Sequence, residues 1–176
     1  DTTIFYFPYL KLPTSNKRAT GILMPSINMS QTNGLDIAQP FYLNLAPNYD
    51  IIFTPRFVEH RGSGFGAKIR HINKWSRNEL VGSIIFNDKR TSESHLADTD
   101  YVLANDNRYE VAFSHLGAFS ENFLSYIDYT GVSDARYIRD LGNFTLDEIS
   151  LSNLTQTSRL QYKKNNWLYT ISTLDD

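Results

Sequence analysis

Residues 19–62 read ATGILMPSINMSQTNGLDIAQPFYLNLAPNYDIIFTPRFVEHRG. Apolar and polar side chains alternate along this stretch with the two-residue period of half-buried β-strands, yet Pro25 and Pro40 stand inside two consecutive runs. Proline has no N–H to give to a ladder, so sheets confine it to edges, strand starts and bulges. One such proline alone reads as a bulge or a bland edge; two in neighbouring strands read as a seam kept weak.

If Asn33-Gly34 closes a two-residue hairpin, as that dipeptide prefers, Pro40 faces Ile27, Pro25 faces Tyr42, and the prolines are diagonal neighbours. Each removes a ladder donor worth about 0.5–1.5 kcal/mol net. That register mixes the faces, because Ile37, Phe41, Leu43 and Leu45 then share a side with Ser26, Asn28 and Ser30. A bulge, a longer turn or a mixed surface stays open.

The next run alternates most cleanly. Tyr49, Ile51, Phe53, Pro55 and Phe57 take one face, and Asp50, Thr54 and Arg56 take the other with Ile52 and Val58. Working outward, about nine segments of ~9–14 residues, the length of a tilted membrane-crossing strand, fall near 19–32, 35–46, 48–60, 64–75, 79–88, 107–117, 121–130, 152–164 and 166–174. Tyr109, Val111 and Phe113 oppose Glu110, Ala112 and Ser114; Trp167, Tyr169 and Ile171 oppose Leu168, Thr170 and Ser172, so this last run is mixed. Most connections are tight, but the fifth and seventh, 89–106 and 131–151, are long and polar. Both are odd, so in an up-and-down meander they lie at one rim, the asymmetry of outer-membrane barrels. The expected fold is all-β: an antiparallel meander of about nine strands forming part of a transmembrane β-barrel. Residues 1–18, with IFYFPYLKLP broken by Pro8 and Pro13, read as the end of a preceding domain, and 19–176 as the barrel strands.

Composition agrees. Aromatics make up 14% of the 176 residues, with 11 Tyr and 11 Phe against 2 Met and no Cys, which favours strands over helix bundles. The 17 basic and 19 acidic residues are scattered and give a net charge of −2, so no nucleic-acid footprint is visible. No run approaches the ~18 apolar residues of a transmembrane helix, a test to which a barrel is invisible.

Motifs for chemistry are absent, and neither an enzyme nor a cofactor is expected. His60, His71, His95 and His115 lack metal-ligand spacing, and Asp98, Asp100 and Asp106 with His95 read as a solvated loop. Gly62, Gly64 and Gly66 space like a phosphate loop but lie between strands, where turn chemistry explains them. Ser133, Asp134 and Asp140 bracket Tyr137 in the seventh connection, where Asp and Ser cap short helical turns. Three Asn-x-Ser/Thr sequons, at Asn28, Asn143 and Asn153, are about what chance pairing gives.

Five ordered blocks, FYFPYLKLP (5–13), KRATGILMP (17–25), NGLDIAQPFYLNLAPNYD (33–50), TPRFVEHRG (54–62) and VSDARYIRDL (132–141), resemble the LptD (Imp/OstA) family of lipopolysaccharide-assembly outer-membrane proteins. The likeness extends over nearly the whole chain. It departs at Leu43, where an aromatic is usual, and at Thr20, where serine is usual. The resemblance implies a cell outer-membrane location, the end of a periplasmic β-jellyroll at 1–18, and the first barrel strands after it. It further implies that lipopolysaccharide arrives from a periplasmic bridge protein (LptA-like), leaves through a lateral gate beside the first strand, and that an outer-membrane lipoprotein (LptE-like) plugs the barrel. The family's gate prolines map onto Pro25 and Pro40. Lys17 and Arg18, just before the first strand, are candidates for anionic lipid phosphates or ordinary interfacial anchors. Two rivals remain at this stage, a general porin-like diffusion barrel and a soluble β-sandwich binding module.

Overall fold

The alternating stretches join one antiparallel sheet. The computed structural model describes residues 18–89, 107–141 and 156–175. They form β1 (Gly21–Ile22), β2 (Ser26–Ser30), β3 (Gly34–Ala38), β4 (Phe41–Ala46), β5 (Tyr49–Val58), β6 (Gly62–Ile72), β7 (Ser76–Ile85), β8 (Arg108–Ser120), β9 (Phe123–Val132), β10 (Gln156–Lys164) and β11 (Trp167–Asp175), with one short helix, α1 (Tyr137–Leu141). Eleven strands replace the nine expected because each proline splits its segment: β1 and β2 flank Pro25, and β3 and β4 flank Pro40. Counted as long segments, the order along the sheet follows the chain from β1/β2 to β11. The expected jellyroll end at 1–17 lies outside the described residues.

Of the turns left open for the first hairpin, the structure takes the longer one. Ser30 faces Gly34, so Gln31, Thr32 and Asn33 form a three-residue loop and Gly34 begins β3. Gly34 has φ +68°, the left-handed conformation that glycine adopts without a Cβ penalty. The slip changes the parity of the pairing. Ile27 now faces Ile37 and Met29 faces Leu35, so the apolar residues that a two-residue turn would have mixed with serines and asparagine sort onto one face.

Alternation and register then give β5–β8 and β10 an apolar face and a polar one, whereas β9 and β11 are mixed, with Leu124, Tyr126, Leu168 and Leu174 exposed on the second face. Phe53 and Phe57 of β5, Phe65 of β6, Leu80 of β7, Tyr109 of β8, Tyr129 of β9, Leu160 of β10 and Ile171 of β11 are exposed on the first face. The buried residues of the second include Asp50, Thr54, Ser83, Arg108, Glu110 and Thr130. A water-soluble sheet hides its apolar side and exposes its charges; here the arrangement is inverted. Among the described residues no second sheet covers the apolar face, as a β-sandwich would require.

The two rims differ as expected. The short turns 47–48, 73–75, 121–122 and 165–166 share one rim. The tight turns 31–33 and 59–61 and both long connections share the other, and α1, within the seventh connection, folds back over the polar face. Its Tyr137 and Leu141 pack with Val58 and Ile85 in a small buried cluster, flanked by Val132 and Ile138.

Candidate functional site

The seam comes first. Ile22 faces Phe41 and Ser26 faces Ala38, so three residues, 23–25, oppose only two, 39–40. This extra residue is a bulge, one of the few places a sheet accepts proline, and it holds Pro25. Pro40 lies in the same interruption on the facing strand, although neither proline has the partner expected from a two-residue turn. The Leu23 N–H donates to the Pro40 carbonyl at 3.0 Å, but Pro40 has no N–H to return. The side chain of Gln39 fills that role: its Nε2 donates to the Leu23 carbonyl at 2.8 Å and to the Pro40 carbonyl at 3.1 Å. On its other side Gln39 is held in the sheet, its backbone N–H donating to the Pro55 carbonyl at 3.1 Å. β1 and β2 form one border of the sheet among the described residues. All of β2 is exposed, and Met24 in the bulge is 85% exposed.

Beside the seam, at the short-turn rim, the polar face carries a charge cluster. Asp50, buried from solvent, accepts from Arg70 Nε at 2.7 Å and Nη2 at 3.0 Å, from Tyr42 OH at 3.1 Å and from Arg18 Nη1 at 3.2 Å. Arg18 is also tied to β4, since its carbonyl accepts from Asn44 Nδ2 at 2.9 Å. A cleft of about 190 Å³ opens here, lined by Arg18, Pro47, Asn48, Asp50, Arg70, Ile72, Arg77 and Asn78. Lys17 lies outside the described residues.

At the opposite rim α1 is locked to the sheet. Arg108, 1% exposed, grips Asp134 with two parallel bonds, Nε to Oδ2 at 3.0 Å and Nη2 to Oδ1 at 2.9 Å. Its Nη1 reaches Asp88 and Asp140, both at 3.1 Å. Asp88 in turn accepts from Arg61 Nη1 at 2.8 Å. Asp134 caps the turn into α1, taking the Arg136 N–H at 3.0 Å and the Ser133 hydroxyl at 2.8 Å. Burial pushes the Asp134 carboxyl up, but the Arg108 and Ser133 bonds outweigh it and hold the group below the usual carboxylate value. Ser83 Oγ donates to Glu110 Oε1 at 2.9 Å. With that single proton spent, Tyr137 OH is the donor in its 2.6 Å contact with Ser83. Burial foremost, with Glu110 adding to it, pushes the Tyr137 phenol up. The helix also reaches the first hairpin: the Asp140 carbonyl accepts from Asn33 Nδ2 at 3.0 Å, and the Leu141 carbonyl from Arg56 Nη2 at 3.0 Å. Arg56 pairs with Asp36 on β3 at 2.6 Å.

Of the residues singled out by sequence, Asp134 and Asp140 with Tyr137 do meet, as a helix cap and lock. Gly62, Gly64 and Gly66 lie in β6, where a Cβ on Gly64 would overlap the Ile84 carbonyl. His71 and His115 join Asn78 and Ser125 on the apolar face near the short turns, with His115 bonding Asn78 and Ser125 at 2.6 Å each. Among the described residues no group of three His, Cys, Asp or Glu side chains is placed to hold a metal ion. His95, Asp98, Asp100, Asp106, Asn143 and Asn153 lie outside the described residues. Sequence reasoning missed the cluster on Asp50 and the hub on Arg108. The available signal was the charges Asp50, Arg70 and Arg108, each standing at the polar parity near one end of its strand.

Known proteins give the arrangement a context. The family model described as LPS transport system D matches residues 106–175. The LPS-assembly protein LptD of Mannheimia succiniciproducens is 34% identical over 96% of this chain, that of Saccharophagus degradans 36% over 93%, and that of Haemophilus influenzae 31% over 96%. In each case the chain spans 20% of the relative's length. Identity at this level along nearly the whole chain, over a sheet whose order and faces are those the ordered blocks imply, places it: the chain belongs to the LptD family.

Proposed function

We propose that this chain supplies the first membrane-spanning strands of an outer-membrane lipopolysaccharide translocon, and that β1 and β2 form one lip of a lateral gate. The observation that carries the reading is the inverted sheet: an exposed face rich in apolar side chains and suited to acyl chains, a charged face suited to a lumen, and a border hairpin interrupted at Pro25 and Pro40. Unsatisfied backbone groups cost several kcal/mol each in hydrocarbon, so the border needs a partner strand, and a seam with a missing donor is where that ring parts most cheaply. Lipopolysaccharide would arrive from an LptA-like bridge protein through a jellyroll ending near residue 18, with an LptE-like lipoprotein seated in the lumen. Arg18, on the polar face beside the seam, is placed to meet its phosphates, and Lys17 precedes it in the sequence. The α1 cap narrows the polar face, which favours a guided path over a porin-like open channel.

The test is photocrosslinking in living cells with the full-length protein. A photoreactive residue replacing Ser26, whose register puts it on the polar face of β2, is expected to capture lipopolysaccharide; one replacing Ile171 on the apolar face of β11 is expected to capture phospholipid only. Correctly assembled protein that yields no lipopolysaccharide adduct along β1 and β2 would remove the gate from this edge.

A further inference from the structure

The cleft at the short-turn rim holds three guanidinium groups and one carboxylate. Asp50 is shared by Arg18 and Arg70. Arg77, on the polar parity of β7 opposite Ile72, reaches the same cleft, and among the described residues no ion pair involves it. The nearest other acid on this face, Glu79, is engaged by Lys68 at 3.0 Å. The cleft therefore carries an excess of two positive charges, the count that a phosphomonoester dianion neutralises. Asp50 and Tyr42 hold Arg70 and Arg18 in place, which lowers the entropy lost when their remaining N–H groups turn to a ligand. The Asn48 side chain at the rim adds a further amide donor.

We propose that this cleft is a phosphate-binding subsite, in which Arg18, Arg70 and Arg77 take the phosphomonoester of a glycolipid as it enters along the polar face. It rests on the conduit reading above for its ligand, and it adds Arg70 and Arg77 to a contact that the sequence offers for Lys17 and Arg18 as one of two readings. Arginine suits the task because its planar fork offers two parallel N–H groups to two phosphate oxygens.

Binding by the full-length protein in detergent micelles is measured with three probes: bisphosphorylated lipid A, the same glycolipid stripped of phosphate, and inorganic phosphate as competitor. Arg77→Gln breaks no ion pair among the described residues and is expected to keep the fold; Arg18→Gln and Arg77→Lys accompany it. Each glutamine variant is expected to weaken bisphosphorylated lipid A about tenfold while leaving the dephosphorylated lipid unchanged, and Arg77→Lys is expected to recover part of the loss. Competition by millimolar inorganic phosphate would assign recognition to the phosphate group itself; discrimination between the two lipids without such competition would assign it to the phosphate presented by a lipid. Equal binding of both lipids, or full affinity in both glutamine variants, would overturn the subsite. Its failure with the Ser26 adduct intact would leave the conduit standing, whereas loss of the adduct with phosphate discrimination intact would remove the conduit alone.

Discussion

Pro40 and Gln39 offer a pair of substitutions with opposite signs. Pro40→Ala places an N–H opposite the Leu23 carbonyl and completes a bond that the ladder now lacks. Pro40 stays in the sheet when β1 and β2 lift away, because Gln39 holds that strand to Pro55 on the other side. Releasing the proline constraint therefore gives the separated state little extra freedom, and the gain is close to one net hydrogen bond, about 1 kcal/mol. That is a roughly fivefold smaller separated population. Gln39→Met keeps the bulk but deletes the 2.8 Å bond to Leu23, and is expected to raise the separated population by about the same factor. The double variant returns near the parent, since the new backbone donor replaces the lost side-chain one. Pro25→Ala is expected to be nearly silent: it lies in the strand that leaves, so any donor gained is offset by about 0.4–1 kcal/mol of freedom restored to the separated chain. Hydrogen exchange of amides 19–30 in micelles reads the opening directly. Equal exchange in Pro40→Ala and Gln39→Met, or shifts of the same sign, would refute this account of the seam.

Three further outcomes are expected. Arg108→Met removes the two-bond partner of Asp134 and a cation shared by Asp88, which keeps Arg61, and Asp140, which keeps Arg139, and should cost about 3–5 kcal/mol, seen as a lower thermal midpoint and as protease access to the α1 region. The Asp134 carboxyl sits below its usual value, so its contribution to docking α1 is complete from neutrality down to about pH 4 and falls away as the pH drops through the folded value; exchange of the Tyr137–Leu141 amides after acid jumps should rise only below that point. Phe53→Arg puts a charge on the apolar face near mid-strand and should cost about 2–4 kcal/mol if that face meets lipid, whereas Thr54→Ser on the polar face should leave folding into micelles unchanged.

Much of this was legible before any coordinates. The nine segments, their order, the faces of β5, β8 and β11 and the lopsided rims all follow from two-residue alternation and loop length, which local chemistry controls. The register of the first hairpin stays open in the sequence, because Asn33-Gly34 prefers a two-residue turn while its mixed faces argue for a longer one, and the cross-strand match of Ile27 with Ile37 and Met29 with Leu35 decides it. The split of two strands into four was implicit in the prolines, but the bulge that accommodates Pro25 depends on pairing, which alternation does not report. The Arg108 hub joins residues from β8, two connections and the 59–61 turn; such convergence is a property of the folded sheet, and no spacing in the chain announces it. Arg18 was singled out by position, while Arg70 and Arg77 were passed over because each looks ordinary in its own strand.

The two-residue alternation of the strands also fixes where the gene can change length. Adding one codon near the start of β5 or β8 would turn every later side chain of that strand to the opposite face, moving Thr54 and Arg56, or Glu110, onto the apolar side and Phe53 and Phe57, or Phe113, onto the polar side. Codons inserted between strands leave that parity untouched, so epitope tags and reporter peptides belong outside the strands and away from Tyr137–Leu141, whose helix closes over the sheet.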